Sequence, residues 1–128
     1  MKTILVVEND LNQRRLYQME LEEEGYCVVL VSDGREALRQ MREDPPDLVV
    51  LDLLMPGLDG VETLDWMAEL NLDLPVIIYS AYGGLGRYIS RAVDAYLVKS
   101  SDLDPLKAEV RRVLMKRGER GILAKTWA

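Results

Sequence analysis

The sequence predicts a three-layer α/β domain built on a parallel sheet, and three observations carry that prediction. Five short apolar runs, Ile4 to Val7, Cys27 to Val31, Leu48 to Leu51, Val76 to Tyr79 and Ala95 to Val98, are continuous rather than alternating. That is the pattern of strands covered on both faces. Segments of helical period separate the runs, so strand and helix alternate, and right-handed crossovers then place helices on both sides of one sheet. At 128 residues the chain has the length of one domain, enough to bury a core without staples.

Each helix has its own punctuation. Asp10, with Gln13 three residues on, has the form of a capping box opening the first helix; Leu16, Tyr17 and Leu21 share one broad face, and Gly25 closes it. The second follows Ser32-Asp33-Gly34, carries Ala37, Leu38 and Met41, and is stopped by Pro45 and Pro46. A third starts near Asp59 with Val61, Leu64 and Ala68 inward. The segment between the fourth and fifth strands holds Gly83, Gly84 and Gly86, each costing about 1 kcal/mol in a helix interior, and predicts a short or irregular fourth helix. The last helix is capped by Asp104, has Pro105 in its first turn, and turns Leu106, Val110, Val113 and Leu114 inward. Arg111, Arg112, Lys116 and Arg117 then read as a basic helix C-terminus. Beyond about Lys116 the period fades, which predicts one domain over residues 1–118 and a frayed tail over 119–128, with no output domain.

Composition excludes whole classes of function. Sixteen Lys and Arg stand against 22 Asp and Glu, a net charge of −6, which disfavours nucleic acid as a partner. Cys27 is the single cysteine, so no internal disulfide and no thiol zinc site can form, as suits a reducing cytoplasm. The absence of histidine removes the commonest general base and metal ligand, and any role as a phosphohistidine donor. The apolar start is too short for a signal peptide, and no run approaches the ~20 residues of a membrane span. The expected setting is cytoplasmic.

The polar residues that remain fall in a pattern. Glu8 and Asn9, Asp52, Ser80 and Lys99 lie at the ends of four different apolar runs. In an open parallel sheet all these ends share one edge, where ligands bind. Each residue alone has an ordinary explanation as a cap, turn or solvated charge; together they would require a separate accident at every strand end. Adjacent acids offer hard oxygen ligands suited to Mg2+. Lys99 and the cation can neutralise a phosphoryl group, Ser80 can donate to it, and Asp52 is placed as a carboxylate nucleophile.

With those residues in view, the chain resembles the receiver domains of two-component response regulators over about residues 2–116. The matching pieces are "ILVVEND", "PDLVVLDLLMPGLDG", "LPVIIYSA" and "AYLVKS", in the family's order. The resemblance implies a flavodoxin-like sheet of order 2-1-3-4-5 and a phosphoacceptor at Asp52, charged by a sensor histidine kinase or phosphotransfer protein. It implies Mg2+, or Mn2+ in its place, held by Glu8, Asn9, Asp52 and the Leu54 backbone carbonyl. Lys99 and Ser80 would contact the phosphoryl group, Ser80 and Tyr96 would form the switch, and Met55, Pro56, Ala81 and Tyr82 the turns and gate beside it. The output would be binding of a downstream protein, by a monomer or a phosphorylation-dependent dimer, without direct DNA or membrane binding and without turnover of an external substrate.

Two departures sharpen these expectations. Asn9 replaces an acid that in the family binds the metal directly, which predicts weaker Mg2+ binding; Asp10 is more useful as a cap than as a substitute ligand. Ser100 replaces the proline usual after the lysine, which removes the cis X-Pro option. Rival readings are a pseudo-receiver that binds protein without phosphorylation, a haloacid-dehalogenase-type phosphatase and a flavin carrier. The phosphatase requires a second acid where Leu54 stands, and the flavin carrier requires a phosphate-cradling loop for which there is no motif.

Overall fold

The computed structural model of the chain describes residues 1–55, 57, 59–83 and 93–127, with 119–127 as backbone only. Strands β1 (Thr3–Val7), β2 (Cys27–Val31), β3 (Leu48–Leu51), β4 (Val76–Ser80) and β5 (Ala95–Val98) form one sheet in the order β2-β1-β3-β4-β5. Every neighbouring pair is parallel, as the continuous apolar runs required. The described helices are α1 (Leu11–Glu23), α2 (Gly34–Glu43), α3 (Gly60–Glu69) and α4 (Asp104–Trp127). The irregular helix expected between the fourth and fifth strands, and Pro56, lie outside the described residues.

The pleat divides the core into two layers. Leu5 and Val7 of β1 pack with Met41, Leu64 and Met67 beneath α2 and α3, whereas Ile4 and Val6 pack with Tyr17, Leu21 and Val110 beneath α1 and α4. Each fully buried aliphatic side chain contributes roughly 1.5–3 kcal/mol of transfer free energy, so the sheet is held from both sides. The central strands β1, β3 and β4 are almost wholly buried; the edge strands are not, with Cys27 and Val98 exposed.

Local chemistry sets the helix starts. Asp10, Asp33 and Asp59 each accept the backbone N–H three residues on, from Gln13 at 3.0 Å, Glu36 at 2.9 Å and Glu62 at 2.9 Å. Gly60 then fits where no other residue would: a Cβ there would lie 2.4 Å from the Asp52 carbonyl oxygen and the same distance from Leu53 Cα. Its N–H donates to the Leu53 carbonyl at 3.0 Å, so the start of α3 is pressed against the loop that follows Asp52.

Four sequence expectations are corrected. On α1, Leu16 faces outward and only Tyr17 and Leu21 are buried. On α3, Ala68 is exposed; the buried stripe is Gly60, Thr63, Leu64 and Met67, at i, i+3, i+4 and i+7, which is the spacing of one helical face. At the start of α4, Asp104 is the first helical residue rather than the cap, and the acceptor lies two positions earlier, where Asp102 takes the Asp104 N–H at 3.0 Å. Finally, α4 does not fray after Lys116 but continues to Trp127. Once nucleated, a helix propagates cheaply, and Lys, Arg, Glu, Leu and Ala in that segment offset the cost of Gly118 and Gly121. Arg111 and Arg112 therefore sit mid-helix, where Arg111 meets Glu24 at 3.4 Å and Arg112 meets Glu109 at 2.6 Å, while Lys107 bonds Glu20 at 2.5 Å.

Candidate functional site

The parallel register brings the polar strand ends together. Val7 and Leu51 are partners in the sheet, so the next residues, Glu8 and Asp52, emerge side by side; Val98 and Ser80 are partners, so Lys99 emerges one step beyond Ser80. Backbone bonds extend the ladder past the strands: the Asp52 N–H donates to the Val7 carbonyl at 3.1 Å and the Lys99 N–H to the Ser80 carbonyl at 2.7 Å.

One ammonium group organises this edge. Lys99 Nζ donates to Glu8 Oε1 at 2.5 Å, to Asp52 Oδ2 at 2.9 Å and to Gln13 Oε1 at 2.7 Å. Glu8 is 2% exposed and Asp52 7%, and carboxylates so far from water persist only when paired and hydrogen-bonded. Their second oxygens are also satisfied: Glu8 Oε2 accepts the Asp10 N–H and Asp52 Oδ1 the Leu54 N–H, both at 3.1 Å. Burial alone would lower the pKa of Lys99, but the hydrogen bonds it donates to Glu8 and Asp52, with the negative charge of both, outweigh it and raise the pKa above the usual lysine value. Two negative charges against one positive leave the cluster short of cationic charge.

The other expected residues divide. Ser80 is buried at the end of β4, with its Oγ accepting the Tyr82 N–H at 3.4 Å. Tyr96 is tied to the same loop, its hydroxyl donating to the Tyr82 carbonyl at 2.5 Å, while the Tyr82 ring itself is exposed. Met55 is buried, Ala81 and Leu54 are exposed, and Pro56 is outside the described residues. Asn9 is exposed, and the bond it makes is through its backbone carbonyl, which accepts from Arg14 at 3.1 Å. Asp10 acts as the cap. Ser100 donates its N–H to the Tyr79 hydroxyl at 3.3 Å, a bond that proline could not make, and no cis peptide occurs among the described residues.

Sequence reasoning missed Gln13. As the second half of a capping box its side chain should reach back to the Asp10 N–H, but Glu8 takes that proton and Gln13 turns to Lys99 instead. The available signal was position: one helical turn into α1, directly after the acidic strand end. Tyr17, a further turn along, donates its hydroxyl to Gln13 Oε1 at 3.2 Å and packs edge-on against Tyr79, ring centroids 5.5 Å apart. Its own pKa is raised, by burial first and by Glu8 next, which keeps the hydroxyl protonated.

With this geometry established, comparison with known proteins is decisive. The family of response regulator receiver domains matches residues 4–111. The chain belongs to that family. This receiver is 37% identical over 116 residues to the response regulator MprA of Mycolicibacterium vanbaalenii, the match covering 88% of the chain and 50% of MprA. It is also similar to the response regulator TrrA of Thermotoga maritima, solved in complex with Mg2+ and BeF: TM-score 0.83, 38% identity, 88% of this chain and 99% of TrrA covered. TrrA solved together with the histidine kinase ThkA superposes with a TM-score of 0.78 at 38% identity, covering 89% of this chain and 99% of TrrA. The receiver spans half or less of the length of the curated relatives MprA and ZraR. Among its described residues no helix is long and apolar enough to cross a membrane.

Proposed function

We propose that this receiver is a cytoplasmic phosphoacceptor switch, taking a phosphoryl group onto Asp52 from the phosphohistidine of a sensor kinase or phosphotransfer protein. The observation that carries the reading is the three-way junction at Lys99, which draws Glu8 and Asp52 from separate strands to one cation. The reaction forms a bond between an Asp52 carboxylate oxygen and phosphorus, and the phosphorus–nitrogen bond of the donor breaks. The electron pair returns to the imidazole ring. Lys99 can swing one N–H from Asp52 Oδ2 to a phosphoryl oxygen, while the Leu54 N–H holds the other carboxylate oxygen and fixes the angle of attack. Ser80 offers a hydroxyl at the end of the neighbouring strand, which would leave the Tyr82 N–H to bond the phosphoryl group. Tyr96, joined to Tyr82, would carry that movement to the β5 face, where a downstream protein binds.

The donors at this edge are all oxygen and the cluster has an excess of negative charge, which fits Mg2+ or Mn2+. Among the described residues no three acidic, histidine or cysteine side chains gather as a ready metal cage. The cation would therefore rest on Glu8, Asp52, the Asn9 amide and the Leu54 carbonyl, and its chemistry would be charge neutralisation of the phosphoryl group. Leu54 supplies no proton-transfer group, so turnover of phosphoesters is not expected.

The test is incubation with acetyl phosphate and Mg2+ followed by intact mass measurement. The chain should gain one phosphoryl group, and Asp52→Asn should gain none. A specific observation favours one alternative: the exposed, uncharged Asn9 side chain. An unmodified chain at saturating Mg2+ would establish a pseudo-receiver that recognises protein without phosphorylation.

A further inference from the structure

We infer that Gln13 is a positioning residue for Lys99, the neutral acceptor that holds the ammonium in place while its two charged partners change roles. The inference rests on the phosphoacceptor reading above. A lysine ammonium has three protons, and all three are taken here, by Glu8, Asp52 and Gln13. Two of these acceptors are committed to the incoming chemistry, Asp52 as nucleophile and Glu8 as an oxygen donor to a divalent cation. Each must loosen its hold on Lys99 as that happens. Gln13 carries no charge and is neither the nucleophile nor one of the groups proposed to hold the cation.

The surrounding bonds equip Gln13 for this task. Glu8 Oε2 caps the Asp10 N–H and so releases the Gln13 side chain from the capping box. The Tyr17 hydroxyl donates to the same Oε1 that accepts from Lys99, fixing the direction of the amide. Tyr17 leans edge-on against Tyr79, and the Tyr79 hydroxyl exchanges bonds at 3.3 Å with the backbone of Ser100, the neighbour of Lys99. The lysine is thus gripped at its tip, and the backbone of the next residue is held, by one connected set of side chains running from α1 to the end of β5.

Gln13→Met keeps the length and flexibility of the side chain and removes the amide acceptor. The first measurement is the Lys99 ¹³Cε and ¹⁵Nζ resonance of the metal-free protein, which reports the ammonium directly. In Gln13→Met it should shift and its protons should exchange faster with water, while Gln13→Glu should preserve the slow exchange. The second is phosphorylation by acetyl phosphate at saturating Mg2+. Gln13→Met should lower the maximal rate about tenfold, the scale of one hydrogen bond to a charged group, with the half-saturating acetyl phosphate concentration unchanged; Tyr17→Phe should lower it about threefold. A Lys99 resonance in Gln13→Met identical to the parent would overturn the inference, whatever the rate. If the parent itself takes no phosphoryl group, it is the phosphoacceptor reading that fails, and the metal-free resonance still decides whether Gln13 positions Lys99.

Discussion

Lys99 and Glu8 are 91 positions apart in sequence and 2.5 Å apart in the fold, one at the end of β5 and the other at the end of β1. Neither strand neighbours the other, since β3 and β4 lie between them. The ion pair therefore spans the upper edge of the sheet, and Asp52 completes it from β3.

Removing the cation should expose the cost of that arrangement. Lys99→Met leaves two buried carboxylates facing one another without compensation, and a loss of about 3 kcal/mol in chemical denaturation is expected. The pH dependence has a definite sign. Because the pKa of Lys99 is raised in the folded state, its contribution is complete below the ordinary lysine value of 10.5 and declines as pH climbs through the elevated folded value. The stability difference between parent and Lys99→Met should thus be level across neutral pH and shrink only in strong alkali; a difference that vanished near pH 7 would contradict the pairing.

Asn9→Asp adds a carboxylate at the proposed cation site. Mg2+ affinity, followed by tyrosine and tryptophan fluorescence, should increase about tenfold, the scale of one added charge at contact distance in a partly solvated site. The metal-free protein should become less stable at the same time, because a third acid joins Glu8 and Asp52. Unchanged affinity would mean that position 9 does not face the cation.

Gly60→Ala tests the contact between α3 and the loop that follows Asp52. A methyl group 2.4 Å from the Asp52 carbonyl oxygen meets backbone, which cannot step aside as a side chain can. The expected cost is about 1–3 kcal/mol, read as a lowered midpoint in urea. The displaced loop should also slow modification of Asp52 in the acetyl phosphate assay.

Asp10→Ala separates the cap from the site. Losing the 3.0 Å bond from the Gln13 N–H should cost about 1 kcal/mol. Mg2+ affinity should hold steady, since Asp10 faces the helix rather than the carboxylate pair; a marked drop would reassign it as a ligand.

Much of this was written in local sequence. The five strands, the Asp10 cap, the approximate starts of the second and third helices and the placement of Glu8, Asp52, Ser80 and Lys99 at strand ends followed from apolar runs and their punctuation, because backbone propensity and turn chemistry act over a few residues. The apolar runs by themselves do not mark the edge strands, because Cys27–Val31 and Ala95–Val98 are as apolar as the central runs; the order that leaves them at the margins was implied by the family resemblance and is the order of the sheet. The rotation of α3 was not legible either: Val61 and Ala68 suit burial as well as Thr63 does, and the contact of Gly60 with Leu53 decides which face turns inward.

By itself the sequence determined the alternation of strand and helix and the set of polar groups delivered to one edge. Tertiary structure alone decided how those groups divide their bonds: the Gln13 side chain accepts from Lys99 instead of the Asp10 N–H, Glu8 takes over that N–H, and Asn9 is exposed. The physical reason is that a buried ammonium must satisfy all three of its protons, and which acceptors lie within reach is settled by sheet register and helix placement over some ninety residues of chain, beyond the range of any local pattern.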